Sequence, residues 1–169
     1  TGQISPDSYI IDVDTFMENA SYIAKTAEAY GIRLFFMLKQ VGRNPYLAKK
    51  LIDIGYEGAV TVDYKEAEVM MLHHIPIKNA GHLVQIPSRK VKEIVAYGAE
   101  YITVYTREKI EEIQKAAEEL GKIQKILLRV SADGDMMYSG QTAGFSPEEM
   151  KETASWTKKN CTNVKIAGV

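Results

Sequence analysis

The chain of 169 residues carries a net charge of −1 with acids and bases interspersed, so its electrostatics give no reason to expect a nucleic acid or an anionic membrane as a partner. This length supports one domain with a sizeable core, and no apolar run approaches the roughly 20 residues that span a bilayer. Cys161 is the single cysteine, which excludes an internal disulfide, and we expect a reducing, cytoplasmic setting.

Apolar runs and helical patterns alternate along the chain. The predicted strands occupy residues 8–13, 33–38, 58–63, 82–87, 101–106, 125–131 and 164–169. The stretches between them repeat apolar residues at helical spacing, and glycines such as Gly31, Gly55 and Gly98 stand where helices would end. The strands read as continuous apolar runs, which is typical of strands buried on both faces. The pattern therefore predicts an α/β fold with a parallel sheet, either an open doubly wound sheet or a (β/α)8 barrel.

Polar side chains stand at the carboxyl ends of the predicted strands. Parallel α/β folds place their chemistry at this edge of the sheet. The residues at these ends are Lys39, Asp63, Gln85, Thr106 and Arg129. We expect a functional site among them. His82 would open the strand 82–87, so we expect it at the opposite edge.

Lys39 follows the five apolar residues 34–38 without a break. If its amine is partly buried, its pKa falls and it becomes a nucleophile that can form a Schiff base with an aldehyde. A lysine at a strand end can equally extend its ammonium group into solvent. Binding of a phosphate or carboxylate is a third interpretation, and the position of Lys39 alone leaves all three open.

Two arginines and one long loop are further candidates for the site. Arg43, in the turn at residues 40–45, could pair with a phosphate or a carboxylate, or belong to a plain turn. Arg129 lies inside a predicted strand and needs a partner if it is buried, either a carboxylate or a cofactor, although an outward-facing, solvated side chain stays open. The polar, glycine-rich loop at residues 132–146 predicts an active-site loop. The dinucleotide-binding and P-loop fingerprints are absent, and no histidine spacing supports a metal site.

Three stretches together resemble the alanine-racemase-like, fold-type III pyridoxal-phosphate barrels. Residues 9–40 (YIIDVDTFMENASYIAKTAEAYGIRLFFMLKQ) are similar to the opening strand and helix of that family and to the strand whose terminal lysine holds the cofactor. Residues 60–70 (VTVDYKEAEVM) resemble its second barrel strand and helix. Residues 127–150 resemble its fifth strand, polar loop and G-F-x-P-E-E helix start. The turn LKQVGRNP looks more like an amino-acid racemase branch of the family than like alanine racemase itself.

The resemblance implies a (β/α)8 barrel, apparently truncated after about six strands, with residues 8–13 as an extra strand outside it. It implies an internal aldimine between Lys39 and pyridoxal phosphate, with Lys39 as the base on one face of an amino-acid substrate. A tyrosine from a later domain of a partner subunit would serve the other face, so a homodimer is expected. The predicted cofactor-binding residues are Lys39, Arg43, Asp63, Gln85 and Arg129.

Residues 1–169 are therefore expected to form the N-terminal part of the barrel, with the remaining strands and a C-terminal β-domain outside this chain. The predicted activity is amino-acid racemisation or epimerisation. The alternatives are an aldolase acting on β-hydroxy D-amino acids, a non-catalytic protein of pyridoxal phosphate homeostasis, and an anion-binding barrel in which Lys39 forms no imine. Three positions depart from alanine racemase, namely Arg43 for a tyrosine, Arg129 for a lysine, and Gln141 for an arginine. These departures leave an acidic, basic or larger substrate open.

Overall fold

The predicted α/β class with a parallel sheet is confirmed. The computed structural model describes residues 4–136 and 144–169. Its sheet has five parallel strands in the order β1-β2-β3-β4-β5, so each strand lies beside the next one along the chain. The strands are β1 Ala59–Thr61, β2 Ile77–Ala80, β3 Tyr101–Val104, β4 Gln124–Leu128 and β5 Val164–Gly168.

Helices alternate with these strands, and side chains that cap the helix starts explain several of their boundaries. The α-helices are α1 Val13–Ala29, α2 Pro45–Asp53, α3 Tyr64–Leu72, α4 Val91–Tyr97, α5 Arg107–Glu119 and α6 Pro147–Asn160, and two 3₁₀ helices cover Lys39–Val41 and Ser88–Lys90. The side chains of Asn44, Asp63 and Thr106 each accept a backbone N–H of the first turn that would otherwise lack a partner. Ser146 and Glu149 form a reciprocal capping box at the start of α6.

The two faces of the sheet are buried to different degrees in this chain, whereas the sequence predicted strands buried on both faces. One face packs against the helices, where Ile102 and Ile126 join Ile94 and Ile113 in a single apolar core. The other face lines an open cavity described below. Side chains alternate between the two faces along a strand, so a strand of three to five residues places few of them on each face. The polar residues of the inner face therefore formed no recognisable alternation in the sequence.

The predicted strand at residues 8–13 is wrong. Tyr9 is fully exposed and Ile10 largely so, and α1 begins at Val13. The Asp12 carboxylate accepts a hydrogen bond from the Thr15 backbone at 3.0 Å and fixes that start. An apolar run next to a strong capping residue has become the approach to a helix.

The predicted strand at residues 33–38 is confirmed in part. Its backbone lies parallel to β1, and Phe36 accepts a hydrogen bond from Val60 at 2.7 Å and donates one to Gly58 at 3.0 Å. Phe36 and Ala59 form an isolated bridge rather than a ladder. The segment therefore extends the sheet beyond β1 and carries Lys39 to the carboxyl edge.

The predicted strand at residues 82–87 is also wrong, because the strand is the preceding segment, β2. Gly81 has a left-handed φ of +77°, which turns the chain out of the sheet. The N–H groups of Gly81 and His82 then both donate to the Thr61 carbonyl at 3.0 Å. His82 thus stands at the carboxyl edge of the sheet, and its expected place at the opposite edge is corrected.

Charged side chains meet at the amino edge of the sheet. Arg33 Nη2 lies 2.5 Å from Glu57 Oε2 and 2.9 Å from Glu100 Oε2. Lys78 Nζ lies 3.2 Å from Glu57 and 3.0 Å from Glu100, and Lys125 lies 3.7 Å from Glu100. Hydrogen bonds from Arg33 lower the pKa of Glu100 to about 2. We call these five residues the amino-edge charge cluster.

The described helices include none with both the length and the apolar character required to cross a membrane.

Candidate functional site

Lys39 stands at the carboxyl edge of the sheet, at the start of the 3₁₀ helix that follows the segment 33–38. Its side chain is exposed, and within the described ranges its amine is neither hydrogen-bonded nor ion-paired. A lysine amine without a carboxylate partner is available to react with an aldehyde or to bind an anion. The structure therefore places Lys39 where the sequence predicted it.

Arg43 is held beside the lysine by the turn that follows it. The Arg43 N–H donates to the Leu38 carbonyl at 2.9 Å, and Arg43 has a left-handed φ of +57°. Its Nη2 lies 3.0 Å from Asp63 Oδ2, while Asp63 Oδ1 caps α3 through the Glu66 N–H at 2.8 Å. The Arg43 Nε is buried and has no hydrogen-bond partner in the described residues. One side of this guanidinium is thus fixed, and its Nε is left for another group.

Glu66 is a buried carboxylate, 1% exposed, near the carboxyl end of β1. It accepts the Val62 N–H at 2.7 Å, at the end of β1. Burial raises the pKa of Glu66, and the backbone of Val62, the charge of Arg43 and the backbone of Leu38 oppose that rise. Leu38 directly precedes Lys39, so this carboxylate lies near the chain segment that carries the lysine. The position of Glu66 within the stretch at residues 60–70 was the sequence signal available for it.

A cavity of about 570 Å³ opens on the inner face of the sheet. Its walls are mainly apolar, with Phe36, Val60 and Leu127 among them. Its polar lining consists of Asn79, His82, Tyr101, Thr103 and Arg129. Among the described residues that line this cavity, none is acidic. A cavity of this composition favours an anionic ligand.

A second cavity, of about 560 Å³, lies under residues 31–34 near the amino edge. It contains none of the predicted site residues.

His82 enters the cavity from the turn after β2, and sequence reasoning missed it because the strand was misplaced. Burial lowers the pKa of His82, and the nearby charges of Arg129 and Lys39 lower it further. The Tyr105 hydroxyl donates to the His82 carbonyl at 2.8 Å and lies 3.1 Å from the Gly81 carbonyl. Burial raises the pKa of Tyr105 to about 12, so this phenol is a hydrogen-bond donor at neutral pH. Tyr105 therefore fixes the backbone that carries the imidazole.

Arg129 follows β4 directly and faces the cavity. Its backbone N–H donates to the Val104 carbonyl at 2.9 Å, and its carbonyl accepts from Phe145 at 2.8 Å. Its Nε is buried without a hydrogen-bond partner, and no acidic side chain of the described ranges pairs with its guanidinium. A charged group held in this way implies an anionic partner.

The remaining predicted residues are engaged elsewhere or lie outside the described part. Gln85 accepts the Tyr105 N–H at 3.0 Å, from the loop after β2 rather than from a strand end. Thr106 caps α5 through the Lys109 N–H at 3.3 Å. Neither lines the cavity. Gln141 lies outside the described residues.

Comparisons with known proteins agree with this geometry. A family model described as alanine racemase, N-terminal domain, matches residues 11–169. The uncharacterized protein YhfX of Escherichia coli (strain K12) is 45% identical over 168 residues, which cover 99% of this chain and 43% of that protein. The chain thus spans less than half the length of this curated relative.

Solved structures of lower identity share the fold. A D-threonine aldolase from Filomicrobium marinum has a TM-score of 0.72 at 20% identity, over 98% of this chain and 44% of that one. A diaminopimelate decarboxylase from Helicobacter pylori has a TM-score of 0.68 at 15% identity, over 89% of this chain and 40% of that one. Since different reactions are represented, the likeness identifies the architecture and not the reaction.

Proposed function

This chain belongs to the alanine racemase N-terminal domain family, and we propose that it is the cofactor-binding part of a pyridoxal-phosphate-dependent amino-acid racemase or epimerase in which Lys39 holds the cofactor. The observation that carries the proposal is the Lys39 amine, which stands exposed at the carboxyl edge of the sheet and has no hydrogen bond or ion pair to any described residue. The resemblance at residues 9–40, whose strand ends in this lysine, supports the same assignment.

The donor set fits pyridoxal phosphate, which is both an aldehyde and an anion. The aldehyde requires a free amine, and Lys39 has one. The phosphate and the ring oxygen require hydrogen-bond donors, and the Nε atoms of Arg43 and Arg129 are buried without partners. Arg43 is the proposed phosphate contact in this chain, because its turn continues directly from the lysine.

When bound, pyridoxal phosphate withdraws electrons from the substrate α-carbon and so makes its proton removable. The proposed role of Lys39 Nζ is to take and return that proton on one face of the substrate. Glu66 holds the end of β1 through the Val62 N–H, and Asp63 holds Arg43 through their 3.0 Å pair. The proposed role of Gln85 is indirect, since its side chain accepts the Tyr105 N–H and so fixes the backbone of Tyr105.

The other face of the substrate needs a second proton donor. The resemblance assigns this role to a tyrosine of a later domain in a partner subunit. We therefore extend the proposal to a cytoplasmic homodimer of the whole protein, whose mass in solution can be measured by light scattering.

Borohydride trapping tests the cofactor assignment. The whole protein is incubated with pyridoxal phosphate, reduced and digested, and the modified peptide is identified by its mass. We expect a phosphopyridoxyl group on Lys39 in the wild type and none on that peptide in Lys39→Arg. Lys49→Arg changes an exposed lysine of α2 and is the matched control, which should be labelled like the wild type. An unmodified Lys39 in folded protein would reject the assignment.

The reaction is tested separately by proton exchange. In deuterium oxide, a racemase incorporates deuterium at the α-carbon and inverts its configuration. Cleavage of a β-hydroxy amino acid into glycine and an aldehyde would instead identify an aldolase. A protein that holds the cofactor without exchanging any α-proton would be the non-catalytic alternative.

A further inference from the structure

Two lysines stand side by side on the inner face of the sheet, near its amino edge. The sheet register aligns Tyr101 of β3 with Lys125 of β4, and Lys125 with Lys165 of β5. Tyr101 lines the cavity on the inner face, and the Lys125 Nζ lies 5.4 Å from the centre of the Tyr101 ring. Because aligned residues of neighbouring strands project from the same face, Lys165 also belongs to the inner face.

The acidic side chains nearby are too few to balance these lysines. Glu100 Oε2 lies 2.9 Å from Arg33 Nη2 and 3.0 Å from Lys78 Nζ, and Glu100 Oε1 lies 3.7 Å from Lys125 Nζ. The amino-edge charge cluster thus sets two carboxylates against three cations. Lys165 adds a fourth cation next to it, and within the described ranges the Lys165 amine makes no ion pair and no hydrogen bond.

The inner face is largely apolar beyond these lysines. Phe35, Met37, Val60 and Leu127 line its cavity and lie outside the apolar core on the helix-covered face. A sheet face of this character is typically covered by packed chain. The chain spans 43% of the length of its curated relative, so in a protein of that length more than half of the residues lie outside it. The remainder of the same protein is therefore long enough to cover the face.

We propose that the part of the whole protein that follows Val169 packs on this face and places an aspartate or glutamate between Lys125 and Lys165. Packing excludes water, and ammonium groups on strands about 4.8 Å apart repel each other more strongly as the surrounding dielectric constant falls. A buried charge without a partner is unfavourable, whereas one carboxylate can accept hydrogen bonds from both amines. This inference uses no property of Lys39, so it is independent of the cofactor assignment.

Carbodiimide cross-linking of the whole protein tests the inference. The reagent activates a carboxylate, an amine at ion-pair distance then attacks it to form an amide, and the joined peptides are identified by their mass. We expect Lys125 or Lys165 to be joined to an acidic residue of the later part of the chain. The Lys78–Glu100 pair, whose charged atoms lie 3.0 Å apart, is the positive control in the same sample.

Charge exchange provides a second measurement. Lys165→Glu should lower the melting temperature of the whole protein by at least about 3 °C, because it brings two carboxylates together. Replacing the cross-linked acidic residue by lysine in the same protein should restore most of that loss. Lys158→Glu, on the exposed surface of α6, is the matched control and should stay within about 2 °C of the wild type. If Lys165→Glu does not fold, Lys165→Gln removes the charge alone and should abolish the cross-link at residue 165.

Either of two results would overturn the inference. One is a sample in which Lys78 and Glu100 are joined but neither Lys125 nor Lys165 is joined to a later residue. The other is a cross-link between separate molecules, which a mixture of isotopically light and heavy protein would reveal as peptides of mixed mass. That second result would identify another copy of the protein as the occupant. Both leave the labelling of Lys39 by pyridoxal phosphate unaffected, so failure here can be told apart from failure of the proposed function.

Discussion

Gly144 lies against Arg129 so closely that a β-carbon at residue 144 would stand 2.8 Å from the Arg129 Cγ and would overlap its carbonyl oxygen. Gly144 also has a left-handed φ of +88°. Phe145, the next residue, donates to that same carbonyl. The glycine therefore allows the end of the polar loop to pack directly on the arginine.

Gly144→Ala should destabilise the protein by about 2–4 kcal/mol, because it combines backbone strain with a collision. Gly121→Ala is the matched control, since Gly121 has a φ of +62° but open space where the methyl group would go. We expect the control to lose only about 1 kcal/mol. Urea unfolding measures both, and equal losses would contradict the close packing of Gly144 on Arg129.

Tyr105→Phe should lower the free energy of unfolding. Removing the hydroxyl leaves the His82 carbonyl without its donor, at a cost of about 1–3 kcal/mol. Tyr97→Phe makes the same chemical change far from the cavity, since the Tyr97 hydroxyl donates to the Ile75 carbonyl at 2.8 Å. Denaturant unfolding should show a larger loss of stability in Tyr105→Phe than in Tyr97→Phe, because the Tyr105 hydroxyl is more deeply buried and lies against two backbone carbonyls. Equal losses would argue against the role of Tyr105 in holding the backbone at residues 81 and 82.

Glu66→Gln should lower stability by about 1–3 kcal/mol. The carboxylate accepts the backbone N–H of Val62, whereas an amide is a weaker acceptor and adds a buried NH₂ group that needs a partner of its own. Glu68→Gln, on the exposed side of the same helix, is the control and should stay within about 0.5 kcal/mol of the wild type. Thermal unfolding compares the pair, and an unchanged melting temperature for Glu66→Gln would mean that the buried carboxylate does not hold this strand end.

The amino-edge charge cluster should make stability depend on pH in the acid range. The pKa of Glu100 is about 2 in the folded protein and near its ordinary 4.5 when unfolded. The unfolded state therefore binds more protons between these values, so this contribution is complete above pH 4.5 and is lost as the pH falls towards 2. Glu100→Gln should remove on the order of 2 kcal/mol at neutral pH and flatten this dependence.

Glu119 provides the control for that experiment, because within the described part of the chain its one ion pair is with Lys92, at 2.8 Å, on the exposed surface. Glu119→Gln should leave the free energy of unfolding nearly unchanged. Urea unfolding at intervals from pH 2 to pH 7 measures both variants. If the free energy of unfolding depends on pH in the same way in Glu100→Gln and in the wild type, the amino-edge charge cluster does not cause the acid dependence.

The parts of the site that could be predicted were those that depend on local patterns. The apolar run 34–38 ends in Lys39, and the run in β4 ends just before Arg129, so both were expected at the carboxyl edge. The resemblance to alanine-racemase-like barrels, based on the same stretches, is confirmed by the family match. Hydrophobic periodicity and the ends of apolar runs depend on residues close in sequence, and the structure agrees with both.

His82 could not be predicted because β2 has a weak strand pattern. Its sequence, IKNA, contains a lysine and an asparagine, whereas the following HLVQIP has the stronger apolar character. The left-handed turn at Gly81 determines that IKNA, and not HLVQIP, forms the strand. This turn depends on hydrogen bonds to Thr61 in another strand. The roles of Tyr105 and Gly144 likewise depend on packing between segments distant in the chain.

The strand order has a consequence for the time course of folding. Each strand pairs with its predecessor, so a nascent chain can add strands one at a time as they leave the ribosome. The pairing of β1 with β2 joins Ala59 to Ile77, whereas that of β4 with β5 joins Gln124 to Val164, across a much longer connection. Because longer loops close at a greater entropic cost, β5 is expected to dock after β1–β4 and, among these five strands, to exchange its amide hydrogens soonest.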